Sequence, residues 1–450
     1  MSAAKPRLLY ANRSQGEFRD DSLDQLLPPD HPVRNLWQFV ETLDLSAILT
    51  QIRSVPGQAG APAIDPRILM ALWLQATIDG VGSSRKLAEL CAHHLVYRWL
   101  CGGVPVGYHT LADFRTGHGA VLDELLTQTV AALLHEDLIH LQRVAQDGMR
   151  VRAAAGASSF HRDQTITRCL AEAQEQVEAL RAQADEDAGA ASRREQAARQ
   201  RAGTERLARL QAAQANLRQM QAVNAARPPS GQKDEAELRT STTDPEARKM
   251  KMPDGGFRPA YNVQFATTTE GGVIVGVDVT NEGTDGGQLT PMLEQIEQRY
   301  DARPNAMLVD GGFVKVEAID AAERNGTTVY APPKEVQKQL DAGQDPYARK
   351  KSDTDATAEW RARMATPAAK TIYKERASTA EWVNAQVRNH GLYGVRVRGR
   401  PKVLVVVLWY VLAHNYGRLK ALRQQKAEET ARQAQEASQS IEDQWPAGGE

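Results

Sequence analysis

Three acidic residues stand where chemistry could be built. Asp147 lies inside a short alternating stretch, Val144 to Arg152. Asp310 closes another apolar run just before Gly311-Gly312, and Glu381 opens a late helical segment. If the two strands are neighbours, Asp147 and Asp310 share one site, and hard carboxylate oxygens placed this way suit Mg²⁺. Two such ions about 4 Å apart can activate a nucleophile and neutralise a leaving oxygen in phosphoryl transfer. Glu381 is the expected third carboxylate, and Glu375 the runner-up. Arg388, seven residues after Glu381, shares its helix face and is placed to hold a phosphate.

Each of these residues also has a plainer reading. Asp147-Gly148 and Asp310-Gly311 are Asp-Gly pairs, ordinarily turn signals. Ser378-Thr-Ala-Glu381 fits a capping box that merely starts a helix. A chain with 56 acidic residues allows many such triples. What favours this one is its context: an acid in the first strand, an acid ending the fourth, and an acid opening a late helix.

The elements that must position these groups divide the 450 residues into several units. Up to about residue 140 the apolar residues recur at helical spacing, which predicts an all-helical N-terminal domain. Its short helices suit either a bundle core or a helix-turn-helix reader. From Val144 the period changes to two. Strands are expected at Val144–Arg152, Ala260–Ala266, Val273–Val279, Ala306–Val309 and Thr327–Ala331, with helices at Gln288–Tyr300 and Val314–Asn325. That order implies an α/β mixed sheet flanked by helices, spanning 141–425.

Two insertions interrupt it. Ile166, Leu170, Ala173, Val177 and Leu180 recur at 4-3-4-3 spacing, so 163–223 reads as a coiled-coil helical hairpin, with the pattern broken at Asp185–Ser192. The stretch 335–370 is polar and poorly patterned and is expected to be irregular, and 426–450 reads as a polar tail.

Composition sets the class. With 55 Lys+Arg against 56 Asp+Glu, the chain lacks the bulk charge of a nucleic-acid binder. Ala385 to Lys426, however, carries nine cations and no Asp or Glu, a candidate polyanion surface. Three cysteines without CxxC spacing and no secretory leader point to the cytoplasm. The longest apolar run, Val403–Ala413, is too short to span a bilayer, so no membrane partner is expected. The ten histidines lack zinc-ligand spacing. Gly255-Gly256 precedes a strand rather than a helix and so is no phosphate loop. Asp244 suits either a DNA contact or a turn cap, and Asp278 has no motif role.

In order along the chain, FRDDSLDQLLPPDHPVR, GVGSSRKLAELC, VAQDGMRVRA, STTDPEARKM, GGFRPAYNVQFAT, LVDGGF and YKERASTAEWVNAQVRNHGL resemble the DDE transposases of bacterial insertion sequences. The resemblance implies an RNase H-like catalytic domain in which Asp147, Asp310 and Glu381 are the catalytic, metal-binding acids for two Mg²⁺, with Mn²⁺ able to substitute. It implies DNA cleavage and strand transfer at the element's terminal inverted repeats, joining to target DNA, a homodimer or larger assembly, and a nucleoid-associated location. An RNase H-like nuclease without strand transfer and a non-catalytic DNA-binding or coiled-coil interaction protein are the alternatives. Relatives carry Tyr, Arg, Glu and Lys around the third acid. Here Tyr373 and Arg376 keep their spacing, one extra residue precedes Glu381, and Arg388 replaces the lysine. Inside a continuous helix the extra residue would rotate Glu381 by about 100°; if the helix starts at Ser378, the extra residue falls in the preceding turn. Tyr373, Arg376, Arg388, Arg396, Arg398, Arg400 and Lys402 are expected to contact DNA, where cations on phosphates add affinity without sequence information.

Overall fold

A computed structural model describes residues 22–54, 61–186 and 190–444. Part of the expected break at 185–192, and the last six residues of the expected tail, lie outside them. Among the described residues seven α-helices lead: α1 (Pro32–Glu41), α2 (Ser46–Leu49), α3 (Pro66–Ile78), α4 (Ser84–His93), α5 (Leu95–Cys101), α6 (Tyr108–Gly117) and α7 (Gly119–His135). α3 starts where Asp65 accepts from the Arg67 N–H with Pro66 at the first helical position, a pairing that satisfies orphan donors at no helical cost. Ten of its thirteen residues are buried, so it forms the centre of the bundle.

The chain then enters β1 (Arg143–Arg152), the small strand β2 (Phe160–His161), and the paired helices α8 (Asp163–Glu186) and α9 (Ala190–Ala225). These run antiparallel: Arg206 donates to Gln176 and Gln200 to the Leu180 carbonyl. Of the expected seam residues, Ile166 packs with Ala213 and Leu217, and Ala173, Val177 and Leu210 are also buried.

After β3 (Thr240–Ser241), which pairs with β2, come β4 (Arg248–Lys251), β5 (Phe257–Thr268), β6 (Ile274–Thr280), α10 (Leu289–Tyr300), β7 (Ala306–Leu308), α11 (Val316–Arg324) and β8 (Thr328–Tyr330). The five expected strands are all present. β4 was not foreseen, because Arg-Lys-Met-Lys lacks the apolar alternation of a strand.

The principal sheet is mixed. β5 is antiparallel to β1, β1 parallel to β7 and β7 parallel to β8, while β4 and β6 share the other edge of β5. β5 is buried over ten of its twelve residues, as a central strand covered on both faces must be. α10 covers one face, where a Cβ on Gly276 would meet the Met292 sulfur. On the other face Ala380 packs with Ala145, Ala306 and Leu308.

The 335–370 stretch is not irregular: it contains α12 (Val336–Asp341), α13 (Asp355–Ala365) and the start of α14 (Pro367–Arg376). α13 buries Trp360, whose indole donates to the Ala331 carbonyl. A single large aromatic anchors it, which leaves little periodic signal.

The chain continues through a π-helical turn, Ala377–Glu381, into α15 (Trp382–Asn389). No helix starts at Ser378, whose hydroxyl instead donates to the Glu375 carbonyl, so the expected capping box is absent. One helix runs from Pro367 to Asn389 and takes up the extra residue as a π-bulge.

α16 (Arg400–Gln444) closes the fold and carries the expected tail region as helix to Gln444. Its apolar segment is buried, and each fully buried Val or Leu there contributes roughly 1.5–3 kcal/mol. The Trp409 indole donates to the Arg115 carbonyl, and the Arg115 guanidinium lies 4.6 Å from the Trp73 ring centroid. Among the described residues no helix is long and apolar enough to cross a membrane.

Candidate active site

The site begins with register. β1 and β7 are parallel neighbours with Ala145 opposite Leu308, so two residues further on Asp147 and Asp310 stand abreast on the same face. Asp310 is held by the Gly312 N–H, 2.7 Å from its Oδ1. A Cβ on Gly312 would lie 2.9 Å from that oxygen, which accounts for glycine there.

Behind Asp147, Gly148 fills a similar role. A Cβ at Gly148 would sit 2.1 Å from Asp285 Oδ1 and 2.5 Å from Gln264 Nε2. The empty position admits the Asp285 carboxylate, which accepts from Asn262 and Gln264 at 2.7 Å each and pairs with Arg150 at 3.3 Å. Asp285 therefore lies on the opposite face of the sheet. So does Asp278, which pairs with Gln264 in register.

The helix from Pro367 to Asn389 crosses the Asp147 face. Arg376 Nη2 is 3.1 Å from Asp147 Oδ1 and 3.7 Å from Asp310 Oδ2. Asn384 Nδ2 donates to Asp147 Oδ2 at 2.9 Å. Burial pushes the Asp147 carboxyl above its ordinary range; Arg376 opposes that shift and the neighbouring Asp310 adds to it. Burial likewise raises the Tyr373 phenol, which lies in the field of Arg376, Asp310 and Asp147.

Glu381 is exposed, one turn before Asn384, and its side chain makes no hydrogen bond or ion pair among the described residues. Glu375, the runner-up, is engaged elsewhere, pairing with Arg143 at 2.8 Å. The structure thus joins Asp147, Asp310, Tyr373 and Arg376, and among the described residues it does not join Glu381 to them by a hydrogen bond or ion pair. Among the described residues no group of three His, Cys, Asp or Glu side chains is spaced to hold a metal ion.

A divalent cation nevertheless suits the donors present. Two carboxylates converge on one positive group, and beside them Asn384 Oδ1 is buried without a partner, an oxygen ligand with nothing else to bind. Asn384 and Asp285 had no role in the sequence reading. The spacing of Asn384, three residues after Glu381 on the same helix face, was the available signal.

Arg396, Arg398, Arg400 and Lys402 are exposed, and Arg388 is partly so. None of these five side chains forms an ion pair among the described residues. The junction between the loop with Arg396 and Arg398 and the start of α16 with Arg400 and Lys402 is tied down by two acids: Asp244 Oδ1 accepts from Gly399 N at 3.1 Å and from the Tyr261 hydroxyl at 2.7 Å. Glu246 accepts from Arg400 N at 2.7 Å. Asp244 therefore caps the start of α16, and burial raises its carboxyl above the usual range.

The structure sets two carboxylates abreast at the ends of adjacent strands, and elsewhere leaves a run of cations unpaired with any acid among the described residues. Comparison with known families gives the class. A transposase domain (DUF772) matches residues 21–117 and a transposase DDE domain matches residues 233–416, together more than half of the chain. Neither the curated proteins nor the solved structures gave a match. The chain belongs to the DDE-type transposases of insertion sequences, enzymes that act on DNA and use divalent metal ions.

Proposed function

We propose that this transposase cuts the terminal inverted repeats of its element and joins the freed ends to target DNA on an RNase H-like domain, with Asp147, Asp310 and Glu381 as its acids. The observation that carries this reading is the pair of aspartates abreast at the ends of parallel neighbours. The order of the sheet, with β1, β4 and β6 antiparallel to β5 and then β7 and β8 running parallel to β1, supports the RNase H-like assignment. Glu381 fits the third position: it is exposed, unpaired and one helical turn from the amide that touches Asp147.

Mg²⁺, as two ions, would supply Lewis-acid activation of water and neutralise charge on the departing 3′ oxygen. The chain's own residues do the rest. Asp147, Asp310 and Glu381 would hold those ions where the reacting phosphate binds. Arg376 and Arg388 hold its flanking oxygens, and the Arg396–Lys402 loop grips the backbone beyond. Water first replaces the 3′ oxygen at the scissile phosphate; the released 3′-OH then displaces a 3′ oxygen of target DNA. Pairing two ends calls for a homodimer or larger assembly, for which the α8–α9 hairpin is the proposed meeting point.

The test uses purified full-length protein, Mg²⁺ or Mn²⁺, and labelled terminal DNA. Cleavage is expected to be lost in Asp147→Ala, Asp310→Ala and Glu381→Ala. Activity surviving in any one of them removes that residue from the site. Pre-cut ends that never join to target would leave a nuclease without strand transfer.

A further inference from the structure

The most unusual feature of the site is what fills it. The Arg376 guanidinium lies between Asp147 and Asp310, 12% exposed, with one nitrogen within reach of both carboxylates. Its Nε is buried without a partner, as is Asn384 Oδ1 beside it. The side chain is thus held by the two acids and by the neighbouring Tyr373 phenol.

Two adjacent carboxylates need a positive neighbour to remain ionised together. Arg376 supplies it, and in doing so occupies the oxygens that a divalent ion would use. A guanidinium and a metal ion cannot share that gap, because both are cations competing for the same lone pairs. A guanidinium also has a second good partner, since its planar fork matches phosphate oxygens as well as carboxylates.

We propose that Arg376 is an exchangeable counter-cation: without DNA it closes the Asp147–Asp310 pair, and on DNA it transfers to a backbone phosphate and frees the pair for divalent ions. Asn384 keeps its hold on Asp147 during the exchange, and its buried Oδ1 stays free to serve as a further oxygen ligand. DNA binding and metal loading are then coupled, and linkage makes the coupling reciprocal: each tightens the other by the same factor. The consequence is protection, because a protein without DNA binds metal weakly and stays idle. This inference rests on Asp147 and Asp310 being the metal-holding carboxylates.

Mn²⁺ binding, read from the EPR signal of free Mn²⁺, tests it on the full chain with and without a short duplex, after subtracting binding to the duplex alone. Without DNA, Arg376→Gln is expected to bind Mn²⁺ roughly tenfold more tightly than the unaltered protein, a typical size for such coupling. The duplex is expected to tighten Mn²⁺ binding to the unaltered protein and to leave Arg376→Gln unchanged. Arg376→Lys, which keeps the charge but loses the fork, is expected in between.

Equal or weaker Mn²⁺ binding by Arg376→Gln overturns the exchange, as does tightening by duplex that persists in it. A measurement on the unaltered protein alone guards against a misfolded variant: fluorescence anisotropy of the duplex with and without Mn²⁺. Identical DNA affinity in the two conditions also overturns the proposal. If instead Asp147→Asn and Asp310→Asn bind Mn²⁺ as well as the unaltered protein, the carboxylate-pair reading itself is wrong.

Discussion

At the scale of single residues, the site depends as much on what is missing as on what is present. Gly148 has no side chain because the Asp285 carboxylate passes through the space a Cβ would take. Gly148→Ala must displace Asp285 from Asn262 and Gln264 in a buried layer, an overpacking cost of about 1–3 kcal/mol. Urea unfolding is expected to show a lower midpoint with an unchanged slope; an unaltered midpoint would mean the layer yields freely. His414 is a second case. Its Nε2 lies 2.8 Å from the Gly272 carbonyl, and burial pulls its pKa down to about 4. The folded state therefore resists protonation while the unfolded chain, near 6.5, accepts it. Stability contributed by neutral His414 is full above pH 6.5 and is lost as pH falls toward 4, by roughly 3 kcal/mol at most. His414→Gln should flatten that part of the stability–pH curve relative to the unaltered protein. Parallel curves would show that the imidazole does not titrate in this window.

At the scale of elements, the helix from Pro367 to Asn389 decides which side chains reach the aspartates. A regular α-helix with one extra residue would turn Arg376 and Asn384 onto different faces. The π-helical turn at Ala377–Glu381 absorbs that residue, and both touch Asp147. Deleting Ser378 should therefore restore a plain α-helix with both contacts intact and thermal stability little changed. A fall in melting temperature as large as that caused by Asn384→Ala would show that the turn itself is required. This turn also marks the limit of what could be read from the chain. The five strands, the α8–α9 pair and the closeness of Asp147 to Asp310 followed from periodicity and order, because apolar alternation records burial directly. β4 escaped because its residues are mostly charged, α13 because one tryptophan anchors it, and the end of α16 because an exposed polar helix has no apolar stripe. Asn384 and Asp285 escaped for another reason: their roles come from register between distant segments, which spacing along the chain does not encode.

At the scale of the whole molecule, α16 ties the parts together. It packs on the N-terminal bundle through Trp409, Phe114 and Trp73, and it bonds the edge of the sheet through Asn415, whose amide pairs with both backbone groups of Ile274. The bundle and the sheet thus share one continuous core, so the cation-bearing loop at the start of α16 keeps a defined position relative to the aspartates. This placement matters because the chain as a whole is nearly neutral, with 55 Lys+Arg against 56 Asp+Glu. Affinity for DNA must come from local charge, and Arg396, Arg398, Arg400 and Lys402 are exposed and unpaired with any acid among the described residues. Each phosphate neutralised on duplex DNA contributes about 0.9 to the slope of log K against log salt. Replacing all four with alanine should reduce that slope by roughly 3 to 4 units, and equally on specific and unrelated duplexes, because phosphate contacts carry no sequence information. Anisotropy titrations across a salt series measure both quantities. A slope that does not change would move the DNA path away from this loop, and a loss confined to the terminal repeats would make its cations base readers instead.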